Sequence, residues 1–92
     1  MKKIKLLDLV AVKHDLPRFY LKAGDSGTVV EVYDGGLLEV EFVDAEGDTV
    51  ALLSVFEADV RKLEKDDDAH SPMPLPEGVE APIGDATATV RP

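Results

Sequence analysis

The chain has 92 residues, a formal net charge of −9 and no cysteine. This length allows one domain with one small hydrophobic core. Without cysteine, disulfides, thiolate metal ligands and a cysteine nucleophile are excluded, and a reducing cytoplasm is the expected compartment. The acidic balance argues against a nucleic-acid partner, because a phosphate backbone is bound by clustered Lys and Arg side chains.

The N-terminal segment has a basic start with lysines at positions 2, 3 and 5. Asp8 and then Lys13 interrupt the apolar run that follows, before it reaches the length of a signal peptide or a membrane span. We therefore expect a soluble protein that is not exported and has no membrane partner.

Two strands are predicted on either side of a long loop. Residues 9–12 form a short apolar run, and the loop that follows it extends to about residue 23. A turn containing Gly24 and Gly27 then leads into a β-branched strand at residues 28–33. We expect these glycines to supply the positive φ values that a tight turn requires.

The next two strands follow from a glycine turn and a clear alternation. Residues 34–36 read Asp-Gly-Gly and predict a hairpin turn. Apolar side chains at 38, 40 and 42 alternate with Glu39 and Glu41, which predicts a strand with one buried and one solvated face. After a second hairpin connection at residues 44–47, a fourth strand is predicted at residues 49–54, with its inward face undetermined.

The fold class predicted from these segments is all-β. Residues 56–59 fit a single short 3₁₀ turn, and residues 60–63 can add a fifth strand. Short strands joined by tight hairpins favour a closed or half-closed antiparallel barrel, because closure leaves fewer exposed strand edges. We expect a small five-stranded antiparallel SH3-like barrel over residues 1–64.

The composition changes after Glu64. Residues 65–92 contain Asp66-Asp67-Asp68, five of the six prolines and no aromatic residue. Such a composition is typical of a segment that does not bury a core. We expect an acidic, Pro-rich flexible tail.

Several segments within residues 4–64 together resemble a family of small bacterial proteins of unknown function. These segments are Leu6-Leu7-Asp8-Leu9-Val10-Ala11, Asp15-Leu16-Pro17, residues 24–32, and Glu39-Val40-Glu41-Phe42-Val43-Asp44 leading into Gly47. The resemblance implies an SH3-like barrel and no assigned activity, and it supplies no catalytic or ligand-binding position. The turn and strand at residues 24–32 also resemble KOW-type barrels, which bind RNA or protein through strand edges and loops.

No motif predicts catalysis, a cofactor or a metal site. The Gly24–Gly27 turn precedes a strand and contains Asp25, whereas a phosphate loop requires a following helix and a cation. His14 adjoins Asp15, but no candidate nucleophile accompanies this pair, and the other histidine, His70, lies in the predicted tail. We expect an exposed loop histidine, and we predict no catalytic, cofactor-binding or metal-binding residue.

The first loop contains the best candidates for partner binding. Tyr20 and Leu21 lie in this loop with Arg18, and Tyr33 ends the second predicted strand. Loop aromatics supply a large contact area at low entropic cost, although a small barrel also uses aromatics to close its open end. We predict Arg18, Tyr20, Leu21 and Tyr33 as possible partner-binding residues and Phe19 as a core residue.

Two segments of the tail have alternative interpretations. The Asp66-Asp67-Asp68 run could bind a cation, but it lacks the spaced ligands of a calcium loop, so a solvated linker is expected. Pro72-Met73-Pro74-Leu75-Pro76 favours polyproline II. It could serve as a ligand for a partner's aromatic groove or for the groove of this same domain.

The function expected from the sequence is a non-enzymatic protein-interaction module that contacts its partner through the first loop and a strand edge. One alternative is a KOW-type nucleic-acid or ribosome-associated barrel. It would require a contiguous basic face from the loop and fifth-strand cations: Lys13, Arg18, Lys22, Arg61 and Lys62. Another alternative is an accessory subunit that works with a separate catalytic chain.

Overall fold

The computed structural model describes residues 3–64 and 67–86. They form one six-stranded sheet with the strand order β5-β1-β2-β3-β4-β6. The strands are β1 Leu9–Val12, β2 Ser26–Val32, β3 Leu37–Val43, β4 Thr49–Phe56, β5 Val60–Lys62 and β6 Ile83–Asp85. All neighbouring strands are antiparallel except β4 and β6, which are parallel.

The alternation predicted for the third strand is confirmed. Leu38, Val40 and Phe42 of β3 are fully buried, whereas Glu39 and Glu41 are partly exposed. This placement follows from the period of two along a strand, which sends successive side chains to opposite faces. The core around them is mostly aliphatic, with buried residues from every strand of the antiparallel part: Val10, Val12, Val29, Leu53, Val55 and Val60.

The structure determines the inward face of β4, which the sequence left open. Val50, Ala51, Leu53 and Val55 are buried, and Leu52 is partly exposed. The buried neighbours at 50 and 51 result from a register shift opposite Phe42 and Val43, a β-bulge that breaks the simple alternation. A run of apolar residues cannot reveal such a shift, because the extra residue is defined only by the partner strand.

The hairpin connections agree with their predicted turn residues. Gly35 and Gly36, in the 3₁₀ segment Asp34–Gly36, both have positive φ values. In the second hairpin the Asp44 carboxylate accepts hydrogen bonds from the backbone N–H groups of Glu46 and Asp48, at 2.9 and 3.1 Å. Asp44 is buried and thereby fixes the turn between β3 and β4.

Three features of the predicted barrel are corrected. The sheet is open, because β5 and β6 lie at its opposite ends among the residues described. It has six strands, since residues 83–85 pair with β4, and a three-residue Ile-Gly-Asp segment carries no strand pattern in the sequence. Besides the predicted 3₁₀ turn, observed at Glu57–Asp59, two others occur, at Pro17–Phe19 and Asp34–Gly36.

Residues 67–86, which we call the strap, run along the sheet. The strap begins near β2, where the carbonyl of His70 accepts a hydrogen bond from the Ser26 N–H at 2.8 Å, and it ends in β6. Pro72 and Ala86 are buried, and Leu75 packs against the core. Within the described ranges, no helix is long and apolar enough to cross a membrane.

Candidate functional site

The two glycines that precede β2 have different structural roles. Gly24 has a φ of +95°, as expected for the turn, and a Cβ atom there would meet open space. The expectation of a positive φ at Gly27 is wrong. Gly27 lies within β2, where a Cβ atom would come within 2.8 Å of the Glu41 carbonyl oxygen and 2.7 Å of Val40 Cγ1. Glycine is required at position 27 because the backbone and side chains of β3 lie too close to leave room for a Cβ atom.

The first loop is closed on itself by backbone hydrogen bonds. Leu16 and Leu21 form an isolated bridge, in which each N–H donates to the other's carbonyl, at 2.9 and 3.2 Å. The Asp15 carboxylate accepts a hydrogen bond from the Ala23 N–H at 2.8 Å, and the Asp25 carboxylate accepts one from the Lys22 N–H at 3.0 Å. These hydrogen bonds and the burial of both leucines stabilise the loop.

Tyr20 projects from this loop in an unusual backbone conformation. Its φ of +62° lies in the left-handed region, and it ends the short 3₁₀ segment Pro17–Phe19 by donating its N–H to the Pro17 carbonyl at 3.2 Å. The left-handed region is costly for a residue other than glycine, and such residues are concentrated at functional sites. The residue is 44% exposed.

A groove of about 360 Å³ lies beside Tyr20, between the first loop and the strap. The loop contributes Pro17, Tyr20 and Leu21 to its apolar wall. The strap contributes Met73, Pro74 and Pro76. Asp15, Lys22 and Asp25 add polar atoms to the lining. Met73 is 69% exposed, so an unbranched and adaptable apolar side chain stands at the surface of the groove.

The structure separates the four residues predicted to bind a partner. Tyr20 and Leu21 both line the groove, whereas Arg18 and Tyr33 do not. The Arg18 guanidinium lies over the Phe19 ring, 5.5 Å from its centroid, and Phe19 is buried as predicted. Tyr33 lies at the turn between β2 and β3 and donates its hydroxyl hydrogen to Glu39 Oε1 at 2.9 Å. This hydrogen bond, with the nearby carboxylate charges, raises the pKa of Tyr33.

Three lining residues, Met73, Pro74 and Pro76, were not among the predicted site residues. The alternation of prolines from 72 to 76 was the available signal, and it raised the possibility that this segment occupies the domain's own groove. In the structure these residues form a wall of the groove. Their placement depends on pairing between the strap and the sheet, which the sequence pattern of the strap does not specify.

The remaining polar candidates are not gathered into a reactive site in the part of the chain that the structure describes. His14 is exposed on the first loop, and His70 contacts Ser26 through its backbone carbonyl. No three or more His, Asp or Glu side chains among residues 3–64 and 67–86 are placed to hold a metal ion. The predicted solvated run 66–68 falls partly outside the described residues, since Asp66 is not among them.

Cations near β5 lie close to acidic side chains. Lys62 Nζ is 3.4 Å from Asp8 Oδ2, and Arg61 lies 4.0 Å from Asp67. A hydrogen bond from the Lys5 N–H and the Lys62 charge together lower the pKa of Asp8 against the effect of burial. A groove of about 780 Å³ along β5 likewise mixes both charges, with Lys13, Arg61, Lys62, Glu57 and Glu64 among its lining residues.

Comparison with known proteins identifies the family. Residues 6–62 match a domain of unknown function, DUF4926, and the chain belongs to this family. The match covers β1 to β5 and the first loop, and it ends before the strap begins. No curated protein matches the chain, and no solved structure matches it either.

Proposed function

We propose that this chain is a non-enzymatic protein-interaction module and that the groove beside Tyr20 binds apolar side chains of a protein partner. The observation that supports this most directly is Tyr20 itself. It is held in the left-handed region by a hydrogen-bonded loop, and its ring is exposed on the wall of an apolar groove. Rigid, partly exposed aromatic side chains next to pockets are characteristic centres of binding energy in protein interfaces.

The strand arrangement supports the same use of this surface. We interpret the family part of the chain, β1 to β5, as an opened form of an SH3-like arrangement, in which the loop between the first two strands often borders the ligand groove. We also propose a bacterial source and a cytoplasmic location, in keeping with the resemblance and the lack of cysteine.

Photo-crosslinking followed by affinity measurement tests the groove. A photoreactive phenylalanine analogue at position 73 is expected to capture a partner in source cells, whereas the same analogue at Val43, an exposed position on β3, is not. The captured protein is then purified for titration calorimetry. Tyr20→Ala is expected to weaken its binding about tenfold or more, because truncating a central aromatic of a binding hot spot costs about 2 kcal/mol or more and about 1.4 kcal/mol corresponds to tenfold.

Tyr33→Ala is the matched control for Tyr20→Ala. Tyr33 is exposed to the same extent, at 43%, but it does not line the groove. We expect this variant to retain the wild-type Kd within about threefold, as is typical of residues outside a binding hot spot. Equal weakening by both variants, no effect of Tyr20→Ala, or no captured protein would each contradict the proposed groove.

The charge distribution does not favour the nucleic-acid alternative. The two cations of β5 each lie near a carboxylate, and the groove along that strand also contains Glu57 and Glu64. Strong RNA binding that weakens steeply with added salt would nevertheless replace the interaction module with a KOW-type activity. Capture of an enzyme would instead support the alternative role of an accessory subunit.

A further inference from the structure

The strap joins the sheet as an added peptide strand would. Its β6 segment pairs in parallel with the outer edge of β4, aligning Leu52 with Ile83 and Ser54 with Asp85. The Leu52 N–H donates to the Pro82 carbonyl at 2.9 Å, and the Ala86 N–H donates to the Ser54 carbonyl at 3.1 Å. This is the hydrogen-bonding mode by which sheet edges bind extended segments of other proteins.

The residues that cover the β4 edge lie outside the shared family domain. The family match ends at residue 62, whereas the strap extends over residues 67–86. Most residues of the strap are exposed, although Leu75 packs against the core. Pro72 and Ala86 are its buried residues, and exposed residues include Met73 and Ile83, the latter 77% exposed. Segments with few buried apolar contacts open at a lower free-energy cost than core strands.

The seated strap shows which side chains this edge accepts. A Cβ atom at Gly84 would lie 3.8 Å from Phe19 Cε1, so there is room for a small residue against that ring. Ala86 is fully buried within the core cluster, which excludes a larger side chain without repacking. Between them, position 85 is exposed. An occupant therefore needs small residues two positions apart, in an extended segment parallel to β4.

We propose that the β4 edge is a strand-addition site for a partner protein and that the strap is its exchangeable occupant within the chain. The fitting segment is extended, runs parallel to β4 and has small residues at the positions of Gly84 and Ala86. This deepens the proposed function, on which it rests for the nature of the ligand as a protein segment. Removing the strap also removes one wall of the Tyr20 groove, so occupation of the edge changes the groove.

The test uses a fluorescently labelled synthetic peptide of residues 67–86 and the full-length chain. In the wild-type chain its own strap competes at an effective concentration of about millimolar. Ala86→Asp in the full-length chain places a carboxylate in a buried site and weakens this competitor. We expect the Ala86→Asp chain to bind the wild-type peptide at least about tenfold more tightly than the wild-type chain does, because its β4 edge is open for a larger fraction of the time.

A disulfide provides the second arm, because the chain has no cysteine of its own. Leu52→Cys with Ile83→Cys places one cysteine on each of two paired strands. Oxidation is expected to abolish peptide binding, and reduction of the same sample is expected to restore it. Binding to the oxidised chain, or equal binding by the Ala86→Asp and wild-type chains, would overturn the strand-addition site.

The first of two further measurements distinguishes the proposed edge site from the proposed groove. The second distinguishes a partner protein from a second copy of this chain as the occupant of the edge. Tyr20→Ala is expected to retain binding of a shorter peptide, residues 79–86, within about threefold, because this peptide lacks the groove residues Met73, Pro74 and Pro76. Loss of partner binding with retained binding of this shorter peptide would contradict only the proposed groove. A concentration-dependent dimer of the wild-type chain that is lost in the oxidised double-cysteine variant would assign the edge to a second copy and overturn the assignment to a foreign partner.

Discussion

Gly24 and Gly27 are both glycine, but each is required for a different physical reason. The sequence places Gly24 and Gly27 in a single turn, and a positive φ is the usual reason for glycine there. The structure assigns that reason to Gly24 alone. At Gly27 the limit is space, because the Glu41 carbonyl and the side chains of Val40 and Phe42 fill the volume of a Cβ atom. A sequence does not show how close a neighbouring strand lies.

A matched pair of alanine substitutions separates these two constraints. Gly27→Ala is expected to lower the free energy of unfolding by about 2 kcal/mol or more, since an overpacked core residue displaces its neighbours. Gly24→Ala meets no neighbour, and we expect a loss of about 1 kcal/mol from the left-handed backbone. Urea denaturation measures both values. A larger loss for Gly24→Ala would contradict the assigned role of Gly27.

The N-terminal turn is an element that the strand pattern did not predict. Residues 5–8 form a turn in which the Asp8 carboxylate accepts the Lys5 N–H at 2.8 Å. The turn is joined to β2 by a hydrogen bond from the Leu7 N–H to the Val29 carbonyl at 2.7 Å. Through its ion pair with Lys62, Asp8 also connects this turn to β5. One side chain thus ties the start of the family domain to its last strand.

The lowered pKa of Asp8 predicts that the stability of the fold depends on pH. Its pKa is lower in the folded state than the usual 3.8, so its stabilising effect is present above that value and is lost as pH falls through the folded pKa. Asp8→Asn is expected to lower the free energy of unfolding at pH 7 by about 0.5 kcal/mol, as for other surface ion pairs. The difference from wild type should shrink steadily below pH 3.8.

Urea unfolding at a series of pH values measures the effect of Asp8. Lys62→Gln is the companion variant, because it removes the ion pair and leaves the hydrogen bond from the Lys5 N–H in place. Lys62→Gln is expected to reduce the pH-dependent part of the free energy of unfolding less than Asp8→Asn does. The reason is that the hydrogen bond from the Lys5 N–H lowers the pKa of Asp8 most. A constant difference between Asp8→Asn and wild type from about pH 7 to about pH 2 would contradict this role.

At the scale of the whole molecule, the strap completes a sheet that the family domain leaves open at β4. Strands β2 to β5 follow one another through short connections, whereas β6 begins about twenty residues after the end of β5. Such a segment gains few buried contacts for the entropy lost in ordering it. We therefore expect the strap to open at a lower free-energy cost than the family domain.

Hydrogen exchange at two neighbouring backbone amides tests this difference. The Leu52 N–H is bonded to the strap, whereas the alternation of an antiparallel ladder directs the Leu53 N–H toward β3. We expect the Leu52 and Ala86 amides to exchange together and at least about tenfold faster than Leu53, through opening of the strap alone. NMR-detected exchange resolves these amides. Equal exchange rates at Leu52 and Leu53 would show that the strap opens only with global unfolding.

The sequence by itself determined the antiparallel part of the fold. Strands at 9–12 and around 38–42 were predicted from apolar runs and alternation, and the hairpins at 34–36 and 44–47 from their turn residues. These signals are local, because side-chain period and turn chemistry act over a few residues. Tyr20 and Leu21 were likewise found as groove candidates from an aromatic loop.

Only the tertiary structure decided the open sheet, the role of Gly27 and the second wall of the groove. Each depends on how separate segments meet in space: β6 beside β4, β3 against Gly27 of β2, and the strap opposite Tyr20 across the groove. The strap residues have no strand or core pattern in the sequence, and backbone hydrogen bonds to an existing edge hold the β6 segment of the strap. Backbone pairing is available to almost any extended residue, so it leaves little mark in the sequence.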